Sequence, residues 1–311
     1  MTTQFTPASR RLIRTMLPAF ALLLLMGGHA YAQGEGRGTE LPAGKSNIKP
    51  FHIVGNIYYV GLNDNTSYLI KTPQGSILLD TTYESGVQYI RKNLEEFGVK
   101  PKDIKIILNA HAHTDHVGGL AQMKELTGAK VLAMPGDAPV LLDGGRSDFR
   151  SDGREQWTSV KADQLLKDGQ EIKLGGTTMV AHLTAGHTKG CTTWSMVAEE
   201  GGKKYNVIFV CSMGLGANVP LINNAKYPSI ADDYVASFKL LKSLPVDIFL
   251  GSHGSFYHML DKIKRMEAGE GVKAFIDPEG YKEWIATTEK AFQTELAKQK
   301  GGAPPTGRTG G

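Results

Sequence analysis

Between residues 111 and 116 the chain reads His-Ala-His-Thr-Asp-His, three imidazoles and a carboxylate in six residues. The cluster follows an apolar run, Ile104–Leu108, that reads as a buried strand. It precedes Val117-Gly118-Gly119-Leu120 and a helical pattern through Met123 and Leu126. The cluster therefore belongs to a loop leaving the C-terminal end of a strand, where open α/β sheets place their sites. Imidazole nitrogen and carboxylate oxygen are zinc ligands, and three protein ligands leave a fourth position for water. A histidine-rich surface loop is the plain alternative. The other histidines among the nine are scattered, however, and chance seldom yields this alternation beside a glycine pair.

A two-metal site needs two more histidines. The chain offers Thr184-Ala185-Gly186-His187-Thr188 and Leu250-Gly251-Ser252-His253-Gly254, each after a strand-like apolar run. Small flanking residues let the backbone approach a metal closely. His111, His113 and His187 would hold one zinc, and Asp115, His116 and His253 the second. This order, HxHxDH followed by a lone GH and a lone SHG, resembles the ligand order of the metallo-β-lactamase superfamily. Gly186 to Trp194 (GHTKGCTTW) is similar to the G-H-T-x-G-x-T-x-W signature of class B, subclass 3 metallo-β-lactamases. The segments Leu142 to Phe149, Gly251 to Phe256 and Phe275 to Tyr281 also resemble that subclass. The resemblance runs from about Pro50 to about Phe292, and HxHxDH alone would specify only the superfamily.

The resemblance implies an α/β fold, an αββα sandwich with the metals at one sheet edge. It implies zinc-dependent opening of the lactam amide of penicillins, cephalosporins and carbapenems, and with it antibiotic resistance. Two zinc ions would supply and hold the attacking hydroxide. Asp115 would bind the second zinc and orient that hydroxide, and no serine nucleophile is needed. Ser212 would help bind the substrate carboxylate. A second hydroxyl commonly sits two residues later in this subclass, where this chain has Gly214. Hydroxyacylglutathione hydrolases and lactonases share the ligand loop but carry a bridging aspartate after the strand that ends here at Val210. No acid lies between Lys204 and Ala231, which argues against both. An exported zinc-binding protein without turnover is the non-enzyme reading, and the complete six-ligand set argues against it.

Cys191 and Cys211 flank two strand-like runs joined by Glu199-Glu200-Gly201-Gly202-Lys203. A hairpin centred on Gly201 would set them opposite each other, near disulfide range. Two buried thiols, or Cys211 as a zinc ligand as in other subclasses, are the alternatives. The last is discounted because His116 already completes the second set.

Residues 1–32 carry Arg10, Arg11 and Arg14, an apolar core over 17–26 and Ala30-Tyr31-Ala32, a secretory signal cut before Gln33. The core is too short for a membrane anchor. Export points to the periplasm if the source is Gram-negative, and to secretion otherwise. Losing the three arginines lowers the formal charge of +4 to +1, too weak a bias for nucleic acid or anionic membrane. The expected partner is a small-molecule substrate, and the expected state a monomer. Residues 33–47 read as a flexible arm, 48–300 as the catalytic domain and 301–311 as a disordered tail.

Within the domain, strands are expected at 51–54, 57–60, 67–71, 76–79, 104–108, 130–134, 171–174, 177–183, 192–197, 205–210 and 246–250. Helices are expected at 83–97, 229–244 and 278–297. Trp194 reads as core, His182 as core or as a support behind the ligands, His52 as structural and His258 as solvated. Trp157, in a polar stretch near the presumed groove, is a possible substrate contact.

Overall fold

The apolar runs pair into two sheets. A computed structural model describes residues 1–3 and 40–301, so the apolar core of the expected leader and most of the expected tail lie outside the described residues. The first sheet takes β1 (Phe51–Val54), β2 (Ile57–Tyr59), β3 (Tyr68–Thr72), β4 (Gly75–Leu79), β5 (Ile104–Leu108), β6 (Lys130–Ala133) and β7 (Gln164–Leu165), in that order. The second has the order β12-β11-β10-β9-β8, from β8 (Glu171–Leu174), β9 (Thr177–Leu183), β10 (Thr192–Glu200), β11 (Lys203–Val210) and β12 (Ile248–Gly251).

Strand alternation decides how the layers stack. Ile70, Ile77, Leu79 and Leu108 face the second sheet and join Met179, Trp194, Met196 and Phe209 in one core. Their neighbours Leu69, Leu78 and Ile107 face the other way, into a second core. There they meet α1 (Val87–Glu96) through Ile90 and Leu94, and α3 (Leu120–Thr127) through Met123. Beyond the second sheet lie α5 (Ile230–Ser243), with Tyr234, Phe238 and Leu241 buried, and α7 (Pro278–Gly301), with Ile285 and Phe292 buried. Two central sheets between helical layers are the αββα sandwich.

The topology gathers loops. β4 runs parallel to β5, and β11 parallel to β12. β9 and β11 both pair antiparallel with β10 and so run the same way. The C-terminal ends of β5, β9, β11 and β12 deliver residues 109–116, 184–190, 211–214 and 252–254.

Several details depart from the sequence reading. The hairpin turns on Gly201 and Gly202 together, both at positive φ (59° and 77°), as a two-residue turn of the primed kind requires. The register therefore pairs Glu200 with Lys203 and Trp194 with Phe209, one residue off a hairpin centred on Gly201. Cys191 and Cys211 lie just beyond the paired strands and are nonetheless joined in a disulfide, with Cα atoms 6.0 Å apart. The last strand starts at Ile248, and Asp247 before it takes the Asn206 N–H on its carboxylate at 2.7 Å while its own N–H bonds the Asn206 carbonyl at 2.9 Å. Residues 44–47, expected in a flexible arm, bond to the body: Lys45 pairs with Asp64 at 3.0 Å, and the Asn47 side chain accepts from Asn93 at 3.0 Å. The short β7, α4 (Ala138–Leu142) and α6 (Met259–Arg265) had no clear sequence signal.

Candidate metal centre

The His-Ala-His-Thr-Asp-His segment leaves β5, and its last residues start a single helical turn, α2 (Thr114–Val117). Extended backbone at His113 (φ −122°, ψ 156°) then gives way to a helix, which sends Asp115 and His116 away from His111 and His113. The six sequence-assigned residues thus fall into two groups, each with ligand atoms within 4.8 Å of one another: His111, His113 and His187, and Asp115, His116 and His253. In the first group the rings stand 4.6–4.8 Å apart, centroid to centroid. The groups adjoin, with His111 and His116 rings 4.2 Å apart. Two histidines outside the site keep plain roles: His182 hydrogen-bonds Ser195 Oγ at 2.7 Å, and His258 is exposed.

The donor set fits metal ions. His116 Nε2, His253 Nε2 and Asp115 Oδ2 form a triangle with sides of 3.2, 3.2 and 3.4 Å. Those are the edges of a tetrahedron about an ion bonded at about 2.0–2.1 Å, the distance of zinc to nitrogen and oxygen. The charges agree. Burial works against a charged His116, yet Asp115 and Asp80 raise its pKa to about 10, so the site draws a cation, either a proton or a metal. Burial and the neighbouring imidazoles hold His111 and His187 well below the usual histidine range, which keeps them in the neutral ligating form.

A second ring of residues, missed in the sequence, braces the candidate ligands. Asp80 Oδ2 lies 3.0 Å from His116 Nδ1 while its Oδ1 accepts the Ala110 N–H at 2.7 Å. Asp80 sits at φ 65°, a strained backbone for a non-glycine residue at a site. Asp64 lies 3.2 Å from His253 Nδ1, Asn65 donates to Asp115 Oδ2 at 3.0 Å, and Asp148 faces His113 Nε2 at 3.7 Å. His187 donates from Nδ1 to the Gly214 carbonyl at 2.5 Å. Asp137, 1% exposed, joins two ligand loops: it accepts from Ala112 N–H (2.8 Å), Gly190 N–H (2.8 Å) and Thr188 Oγ1 (2.9 Å). Gly190 is required there, since a Cβ would lie 2.5 Å from the Asp137 nitrogen. Only Asp80 had a sequence signal, as the acid ending an apolar strand.

Ser212 is buried at the end of β11, and its Oγ accepts the Gly214 N–H at 3.2 Å. Cys211 Sγ lies 3.6 Å from His111 Nδ1, so the disulfide backs the first group, and a bonded sulfur is no thiolate ligand. Trp157 is 1% exposed and packs its ring on Gly145, which removes it from the groove as a substrate platform. Trp194 is buried and donates from Nε1 to the Asn109 carbonyl at 3.0 Å, just before the ligand loop.

Four converging strand ends, two histidine-rich groups and carboxylates behind the imidazoles define a metal-binding hydrolase centre. Residues 60–253 match the family model of the metallo-beta-lactamase superfamily. FEZ-1 metallo-beta-lactamase from Legionella gormanii is 42% identical, with 85% of this chain and 100% of that chain covered and a TM-score of 0.81. The class B3 di-zinc metallo-beta-lactamase LRA-12, from an Alaskan soil metagenome, is 34% identical over 81% of this chain and 95% of that one, with a TM-score of 0.77. A hydroxyacylglutathione hydrolase of Hyphomonas neptunium is 27% identical over 154 residues, 49% of this chain and 51% of its own. The chain thus spans about half the length of that curated relative. The chain belongs to the metallo-β-lactamase superfamily and, within it, to the class B3 metallo-β-lactamases. It is accordingly a metal-binding hydrolase.

Proposed function

We propose that the chain hydrolyses the lactam amide of penicillins, cephalosporins and carbapenems with two zinc ions, and so confers antibiotic resistance. His111, His113 and His187 would hold one ion, and Asp115, His116 and His253 the other. Zinc supplies a bound water with a pKa near ~7 and positive charge for the developing oxyanion and departing nitrogen. The chain's residues supply position. Asp115 commits Oδ2 to the triad and Asn65, which leaves Oδ1 to orient the attacking water. Asp80 and Asp64 fix the rings of His116 and His253. Ser212 would hold the substrate carboxylate, its proton free because its oxygen already serves Gly214. A secretory signal over residues 1–32 would carry the enzyme out of the cytoplasm, to the periplasm of a Gram-negative source. The described residues contain no helix long and apolar enough to cross a membrane.

The observation that carries this reading over a thioester hydrolase is the loop after β11. It places Cys211, locked in a disulfide, and Ser212 where a bridging acid would stand. The test is a panel of β-lactams, lactones and glutathione thioesters on one sample of measured zinc content. Lactam opening that dominates the panel supports the proposal. Thioester or lactone turnover without lactam opening overturns it.

A further inference from the structure

Arg150 follows Asp148 and Phe149 on the loop after α4, and its guanidinium reaches the first histidine group. Its Nη2 lies 3.3 Å from His187 Nδ1. That contact is no hydrogen bond in its favour, because the His187 Nδ1 proton already goes to the Gly214 carbonyl. The guanidinium stacks over Phe149, 5.1 Å from the ring centroid, and rests on Gly216, where a Cβ would lie 3.1 Å from Nη1. Its Nε is buried without a hydrogen-bond partner. Among the described residues no carboxylate forms an ion pair with it. Asp148, the nearest acid to influence it, accepts the Arg150 backbone N–H at 2.7 Å and turns its other oxygen to His113. The Tyr234 hydroxyl, a neutral partner, lies within hydrogen-bonding reach of the guanidinium. A partly buried cation without an anionic partner is costly, and such a group at a ligand groove is explained by an anion that arrives with the ligand.

The space for that anion is visible. Gly214 has no side chain, and a Cβ there would lie 3.5 Å from Ser212 Oγ and 4.0 Å from His187 Nδ1, with nothing else within 4 Å. The notch is therefore bounded by a hydroxyl free to donate and by the imidazole against which Arg150 rests. Building on the β-lactam reading above, we propose that Arg150 is a specificity-determining residue. With Ser212 it binds the substrate carboxylate over the Gly214 notch, and it replaces with a charge the hydroxyl that position 214 lacks.

The test compares a penicillin free acid with its methyl ester. Arg150→Gln should raise KM for the acid about ten- to a hundredfold, the range of a charge-assisted hydrogen bond, with kcat little changed. KM for the ester should stay put. Arg150→Lys should fall between, since it keeps charge without the planar fork. Adding Gly214→Ser to Arg150→Gln should recover part of the loss. Calorimetric binding of the intact acid to metal-free protein should show the same preference for Arg150 without turnover. The proposal is overturned if acid and ester shift together, or if Arg150→Gln lowers thermal stability while KM for the acid is unchanged. Should the wild type open no β-lactam, the functional reading fails on its own, and equal binding of the acid by metal-free wild type and Arg150→Gln would overturn the role of Arg150 separately.

Discussion

Replacing Asp137 by asparagine should loosen the first metal site without touching the second. The carboxylate is buried and accepts three hydrogen bonds, two on Oδ2 from Ala112 N–H and Thr188 Oγ1 and one on Oδ1 from Gly190 N–H. An amide in its better orientation keeps its oxygen toward Ala112 and Thr188 and turns its NH2 toward Gly190 N–H. One buried donor is then orphaned, which costs about 1–3 kcal/mol. For a chain of this size that lowers Tm by a few degrees, at roughly 2–4 °C per kcal/mol. The strain falls on Gly190, on the loop that carries His187. Zinc affinity at that group should drop about 10–100-fold, the usual effect of losing a residue that orients ligands. The assay is chelator competition in a His253→Ala background, where only the first group can hold zinc. Wild-type affinity in Asp137→Asn, with Tm unchanged, refutes the reasoning. So does an effect confined to the group of Asp115, His116 and His253, which Asp137 does not touch.

The remaining predictions are simpler. Chelation should abolish hydrolysis and zinc should restore it, while His187→Ala and His253→Ala should each remove about one zinc per chain. Unchanged stoichiometry in His253→Ala would reject the second group. Reducing the Cys191–Cys211 bridge, which closes a loop with a sequence separation of 20, should cost about 3 kcal/mol on a chain-entropy estimate. Activity near room temperature and zinc content should survive that reduction, so loss of zinc in Cys211→Ser would contradict the disulfide's purely supporting place. Asp277→Asn should destabilise by about 3 kcal/mol at neutral pH, because it leaves Lys262, 3% exposed, without the carboxylate 2.8 Å away. Burial raises the Asp277 pKa, but the Lys262 hydrogen bond and charge, together with the Gly280 N–H, outweigh it and the net shift is downward. Its contribution is therefore complete above the ordinary carboxylate pKa of about 3.9 and is lost as pH falls through the lowered folded value. Denaturation of wild type and Asp277→Asn should converge in acid, and a constant difference down to low pH would refute the pairing.

The candidate ligands were legible because each announces itself locally. His111, His113, His187 and His253 all stand just past an apolar strand, beside glycines or other small residues, and a polar group in that place has few structural reasons to be there. What steadies them was not legible. Asp64 meets His253 across 189 residues, Asp137 meets Gly190 across 53, and Asp148 meets His113 from a loop with no periodicity. A carboxylate gives no sign in sequence of which distant loop it will brace. Trp157 misled for the converse reason. Its neighbours over 151–158 are polar, but the ring is seated on Gly145, a contact that spacing along the chain does not encode. The hairpin register was missed by one residue because one glycine or two can make the turn, and only the paired φ values of Gly201 and Gly202 decide. The disulfide tolerates that slip because its cysteines lie past the ladder's end, where cross-strand pairing no longer dictates position. Arg150 belongs with the illegible set. In sequence it is one arginine in a charged loop. Only the fold sets it against His187 with no carboxylate in an ion pair with it among the described residues, and the proposed carboxylate contact rests on that placement.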